Sequence, residues 1–150
     1  MRLLIQRVAR ASVTIGGELR SQIGRGMLIL VGVEPADGPE DAQWLAGKAA
    51  RLRIFDDERG VMNLDIGAID GELLVVSQFT LFASTRKGNR PSYVRAAGEA
   101  VAKPLYEEFM ARLGAETGKR VQSGVFGADM QVELLNDGPV TIWIDSKNRE

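Results

Sequence analysis

The stretch Met130-Gln131-Val132-Glu133-Leu134-Leu135-Asn136-Asp137-Gly138-Pro139-Val140-Thr141-Ile142-Trp143-Ile144 decides the class of fold. Met130, Val132 and Leu134 alternate with Gln131, Glu133 and Leu135, the period of two expected when one sheet face meets a core and the other mostly meets water. Strand character returns in residues 140–144, so the segment between reads as a turn. Its Gly-Pro pair adds a second option. An X-Pro bond has a small trans preference, and in a tight connection it can be held cis, turning two carbonyls in a direction that a trans loop does not present. A backbone fixed in that way can recognise the shape of a ligand without a side chain.

Residues 3–8, 12–15, 27–33 and 73–79 also have strand composition, and Gly16 and Gly17 suggest a hairpin after the second of them. Gly24-Arg25-Gly26 precedes an apolar strand instead of opening a helix, so it reads as a turn and not as a phosphate loop. Two segments are helical. From Pro39, a suitable first helical residue, Ala42, Leu45, Ala46, Ala49 and Leu52 follow the spacing of one buried face. Leu105, Phe109 and Leu113 recur every four residues in the second, with Tyr106 and Met110 widening the stripe, Gly114 as its stop, and Pro104 either in the first turn or at a kink. Strands and helices mixed without regular βαβ alternation predict an α+β fold: a mixed, largely antiparallel, barrel-like sheet with two main helices, in a single domain over residues 1–150.

Composition removes whole classes of chemistry. The 150 residues contain neither cysteine nor histidine, so thiol nucleophiles, zinc-thiolate sites, histidine-ligated metals and Ser-His-Asp triads are all excluded. A net charge of −1 argues against a general nucleic-acid binder. The N-terminus carries charge within its apolar stretch and does not read as a signal peptide, and the longest apolar run, residues 27–33, is far short of the roughly 20 residues of a membrane span. A cytoplasmic protein is the expectation.

Charge is nevertheless uneven. No acidic residue occurs between Glu72 and Glu99, where Arg86, Lys87, Arg90 and Arg95 all fall; such a run is either a solvated loop or a phosphate contact. Asp56, Asp57 and Glu58 do not match a calcium loop and read as an acidic turn closed by Gly60, so no metal is assigned. Ser77-Gln78-Phe79-Thr80-Leu81 ends an apolar strand with hydroxyl and amide side chains, a position where sheets present groups to clefts, although such groups also serve turns and neighbouring backbone.

The chain resembles the D-aminoacyl-tRNA deacylases along essentially its whole length. Ser77-Gln78-Phe79-Thr80-Leu81 and Asn136-Asp137-Gly138-Pro139-Val140-Thr141 carry the resemblance, supported by Arg86-Lys87-Gly88-Asn89-Arg90-Pro91-Ser92 and Phe126-Gly127-Ala128-Asp129-Met130. It departs from the family pattern at Ser84, where an acidic residue is usual, and at Pro104.

The resemblance implies a cytoplasmic homodimer, without cofactor, that cleaves the ester between a D-amino acid and the terminal adenosine of tRNA. Glycine mischarged on tRNA-Ala is a further implied substrate. Neither DNA nor a membrane is an implied partner. Active sites would lie at the subunit interface, with Gly138 and Pro139 of one subunit entering the other's pocket and excluding L side chains. Arg7 and Asn136 would support that loop. Ser77, Gln78, Phe79 and Thr80 would form the catalytic segment, with the amides of Phe79 and Thr80 as oxyanion donors. Thr80 then positions groups instead of attacking, since no base stands ready to take its proton. Arg86, Lys87, Arg90 and Arg95 would meet tRNA phosphates. Competing readings are a non-catalytic RNA-binding or oligomerisation module, and a small-molecule esterase using Ser77, which lacks an evident base.

Overall fold

The computed structural model describes residues 1–149. Strand β1 (Arg2–Ile15) is the spine, antiparallel to β2 (Glu18–Ile23), β3 (Gly26–Gly32) and β8 (Gln131–Asp145). Strand β3 continues into parallel pairing with β6 (Glu72–Ser77), and β6 with β7 (Val121–Ser123). The path β2-β1-β3-β6-β7 curls until its ends meet, where the buried Ser21 hydroxyl of β2 donates to the Ser123 carbonyl of β7 at 2.9 Å. A small hairpin, β4 (Phe55–Asp56) with β5 (Met62–Leu64), stands apart. The mixed, nearly closed sheet with two helices agrees with the sequence reading.

Both sheet faces are apolar because the strands alternate between two cores. Leu3, Ile5, Met27, Ile29, Leu73 and Val75 face helices α1 (Pro39–Ala50) and α2 (Glu99–Thr117). Val8, Val13, Leu28, Leu74 and Val76 face the opposite way and meet Met130, Val132 and Leu134 of the C-terminal segment, the face its alternation predicts. Among the described residues no helix is long and apolar enough to cross a membrane.

Several boundaries differ from the sequence reading, each for a packing reason. The expected strands 3–8 and 12–15 are one, because β8 runs alongside both and takes up the irregularity in two register shifts. For the same reason residues 136–141 are not a hairpin turn between separate strands but an interruption inside β8. The strand expected over 73–79 ends at Ser77 and passes into a 3-10 turn (Phe79–Phe82). Leu52 lies just past α1. Helix α2 passes through Gly114 and stops at Gly118, whose φ of +65° forms the left-handed cap. Gly114 serves close approach instead: a Cβ there would lie 3.3 Å from the Lys119 carbonyl of the returning chain. Pro104 falls beyond the first turn of α2, which leaves the Ala100 carbonyl without its intrahelical donor.

The start of α1 is an electrostatic knot. Asp41 accepts the Gly38 amide at 2.9 Å and the Lys147 ammonium at 2.8 Å, and the Met1 amine donates to Asp37 and to the Ser146 hydroxyl. Burial opposes ionisation of Asp41, yet the bonds from Lys147, Ser146 and Gly38, with the nearby N-terminal charge, hold its pKa down to about 2. A depressed carboxylate stabilises the fold above its unfolded pKa and loses that contribution as pH falls through the folded value. Denaturant titrations from pH 5 to pH 2 will therefore show wild type losing about 2 kcal/mol more than Asp41→Asn across this window.

Candidate active site

Where β6 ends, the Gln78 amide still donates to the Val31 carbonyl at 2.7 Å, so the chain leaves the sheet only after this residue. Phe79 and Thr80 then open the 3-10 turn, and their N–H groups precede its first internal donor, the Leu81 amide, which bonds the Gln78 carbonyl at 3.3 Å. Ser77, Gln78 and Phe79 line a cavity of about 300 Å³, closed on its other sides by Tyr106 of α2 and by Phe126, Asp129 and Met130. Thr80 does not line it; its hydroxyl accepts a hydrogen bond from the Gln78 side-chain amide.

Tyr106 and Phe126 were not singled out as site residues by the sequence, although their rings, 5.8 Å apart, form part of the cavity wall. Helical spacing accounts for Tyr106 as a core residue. The distinguishing signal is its hydroxyl, which a purely apolar stripe does not require. That hydroxyl donates to the Val75 carbonyl at 3.0 Å, and the same carbonyl accepts the Gly124 amide at 3.2 Å, tying α2 and the segment after β7 to the sheet. Burial, reinforced by the charge of Glu107, pushes the Tyr106 hydroxyl well above the ordinary phenol range, so it remains a neutral donor. Asp129, exposed at the rim, is the acidic side chain of the cavity.

A second cluster forms where β8 is interrupted. Gln6 faces Thr141 and Val8 faces Asn136, so residues 137–140 stand opposite the single residue Arg7. The buried Arg7 guanidinium donates from Nε to the Asp137 carbonyl at 2.9 Å and from Nη1 to the Ile54 carbonyl at 2.7 Å, with Asp56 at 3.2 Å. Asn136 spans the loop: its Oδ1 accepts the Val140 amide and its Nδ2 donates to Thr141 Oγ1, each at 3.0 Å. The Gly138–Pro139 bond inside this frame is cis. Gly138 has φ +130°, and a Cβ on it would lie 2.8 Å from Val140 Cγ2 and 3.0 Å from Arg7 Nη2. Neither Gly138 nor Pro139 lines the 300 Å³ cavity of its own chain.

The acidic triplet separates by role. Asp56 pairs with Arg7, while Asp57 accepts the amides of Arg59 and Val61 and shapes the turn. The basic segment divides too. Arg86, Lys87 and Arg90 are exposed on a loop closed by reciprocal Ser84–Ser92 backbone bonds of 2.8 and 2.9 Å. This closure uses main-chain atoms, so the departure at Ser84 does not open the loop. Arg95 instead lies 3.5 Å from Glu34 and 5.8 Å from the Phe82 ring.

The chain matches known proteins along its whole length. A family model described as D-Tyr-tRNA(Tyr) deacylase matches residues 4–145. Proteins named D-aminoacyl-tRNA deacylase from Bacteroides thetaiotaomicron and Chromobacterium violaceum are 61% and 57% identical over 150 residues, with 100% of both chains covered in each case. A solved structure named c-Myc DNA Unwinding Element Binding Protein is 39% identical with a TM-score of 0.91, covering 97% of this chain and 98% of that one. The family match spans nearly all of the sheet, both helices and both motif segments, and this chain belongs to the D-Tyr-tRNA(Tyr) deacylase family.

Proposed function

We propose that this protein hydrolyses the ester joining a D-amino acid to the terminal adenosine of tRNA, releasing tRNA and the free amino acid. The observation that carries the reading is a division of labour in one chain. Ser77, Gln78 and Phe79 line a cavity, while a rigid glycine-proline loop is braced elsewhere and lines no part of it. A homodimer resolves this arrangement, with the loop of each subunit entering the cavity of the other. The protein acts in the cytoplasm, on tRNA that has been charged there.

Chemistry follows from the groups at hand. With no histidine or cysteine in the chain, the ester's own features contribute: its α-ammonium activates the carbonyl, and the free ribose hydroxyl of the terminal adenosine assists attack by water. The amide of Phe79, which lines the cavity, stabilises the developing oxyanion, and that of Thr80, outside the lining, joins it only where the substrate reaches past the cavity edge, each good donor contributing roughly 10²- to 10³-fold. Thr80 positions groups: its hydroxyl is engaged by Gln78 outside the cavity lining, with no histidine to take its proton. Arg86, Lys87 and Arg90 meet phosphates, giving modest and salt-sensitive affinity, while Arg95 has Glu34 as a competing partner.

Gly138 and Pro139 select by exclusion. A backbone frame fixed by Arg7 and Asn136 leaves no room for an L side chain and makes little demand on a D one. Glycine carries no side chain to exclude, so glycine mischarged on tRNA-Ala is also hydrolysed.

Ester loss from D-tyrosyl-tRNA but not L-tyrosyl-tRNA is the expected result with purified protein; binding without turnover of either would favour a non-catalytic module. Removing the free hydroxyl of the terminal ribose should abolish turnover, and undiminished hydrolysis would require a base from the protein. Thr80→Ala should retain measurable turnover, about tenfold reduced, whereas near-complete loss with binding intact would make Thr80 the nucleophile. Gly138→Ala displaces the loop through contacts with Val140 and Arg7 and strains a backbone at φ +130°, so D-ester turnover should fall about 10²-fold and the thermal midpoint should drop by a few degrees.

A further inference from the structure

We infer that Phe79 and Tyr93 form a stacking shelf for an unpaired nucleobase, the one attached immediately 5′ of the adenosine held in the cavity. The inference rests on the deacylase reading and extends it to a second subsite. Phe79 is 57% exposed and Tyr93 39% exposed, and their rings meet edge to face with centroids 5.0 Å apart. Phe79 also lines the cavity, so the shelf begins where the cavity ends.

Charge identifies the occupant. Tyr93 directly follows Ser92, whose backbone pairing with Ser84 closes the loop bearing Arg86, Lys87 and Arg90. A strand leaving the cavity passes an aromatic face and then a cluster of cations, the combination that holds single-stranded nucleic acid by base stacking and phosphate contact. Residues 73–98 carry no acidic side chain, so the loop itself is cationic, with Asp129 at the cavity rim and Glu34 beside Arg95 as acidic neighbours from other segments. In the proposed homodimer the partner's glycine-proline loop enters the cavity beside the shelf, whereas a two-fold contact centred on the shelf itself would bring the two cationic loops together, which favours nucleic acid as the occupant of the aromatic pair. Stacking on a neutral ring tolerates any base, so the subsite reads an unpaired end and not a sequence.

Titration calorimetry with uncharged ligands tests the shelf without ester cleavage, so its failure is separate from failure of the hydrolysis assay. The ligands are adenosine, the dinucleotide cytidylyl-adenosine, and that dinucleotide lacking its cytosine base. The dinucleotide should bind about tenfold more tightly than adenosine, and loss of the base should remove most of this gain. In Tyr93→Ala the gain should disappear, while Tyr93→Phe retains it. Equal binding of the dinucleotide with and without its base would assign the gain to phosphate alone and overturn the proposal. So would a gain that survives in Tyr93→Ala, or a Tyr93→Ala protein whose altered property is its sedimenting mass.

Discussion

One guanidinium holds the functional half of this molecule in place. Arg7 projects from the spine strand at the point where its long partner loses register, and there it binds the main chain of the glycine-proline loop and that of the segment before the small hairpin. Its carboxylate neighbours, Asp56 and Asp137, offset the cost of burying the charge. Without such a brace, four residues facing one would be a floppy insertion. With it and Asn136, the loop is part of the sheet.

The cavity has a different foundation. Its wall depends on the Val75 carbonyl, which gathers the Tyr106 hydroxyl and the Gly124 amide onto one central strand. The segment that lines the cavity therefore extends from a strand buried between two apolar cores and bends away only after a last interstrand bond. Groups that must stay fixed while charge develops are well served by this placement.

Much of this was legible in residue order, and the remainder was hidden for identifiable reasons. Alternation at Met130, Val132 and Leu134 gave the correct buried face, and spacing gave both helices. Continuity was invisible, because whether two strand-like runs join depends on a partner strand beyond them, as with β1 and β8. Gly114 was misread as a stop because local sequence does not reveal the chain returning against it. At the end of an apolar strand, Ser77, Gln78 and Phe79 fit a turn as well as a cleft, and the family resemblance was what pointed to them; they line the cavity, as does Tyr106, which looked like one more core side chain. Arg95 fell in the basic run, yet its neighbour Glu34 is distant in sequence.

Strand β8 is long, and it pairs through β1 alone. An uninterrupted outer rim of that length offers unpaired donors and acceptors to any extended chain, the starting point of fibril growth. Here the rim is broken midway by a proline that has no amide hydrogen to offer and by a loop that turns the main chain out of line. The same irregularity therefore guards the folded chain against templated aggregation.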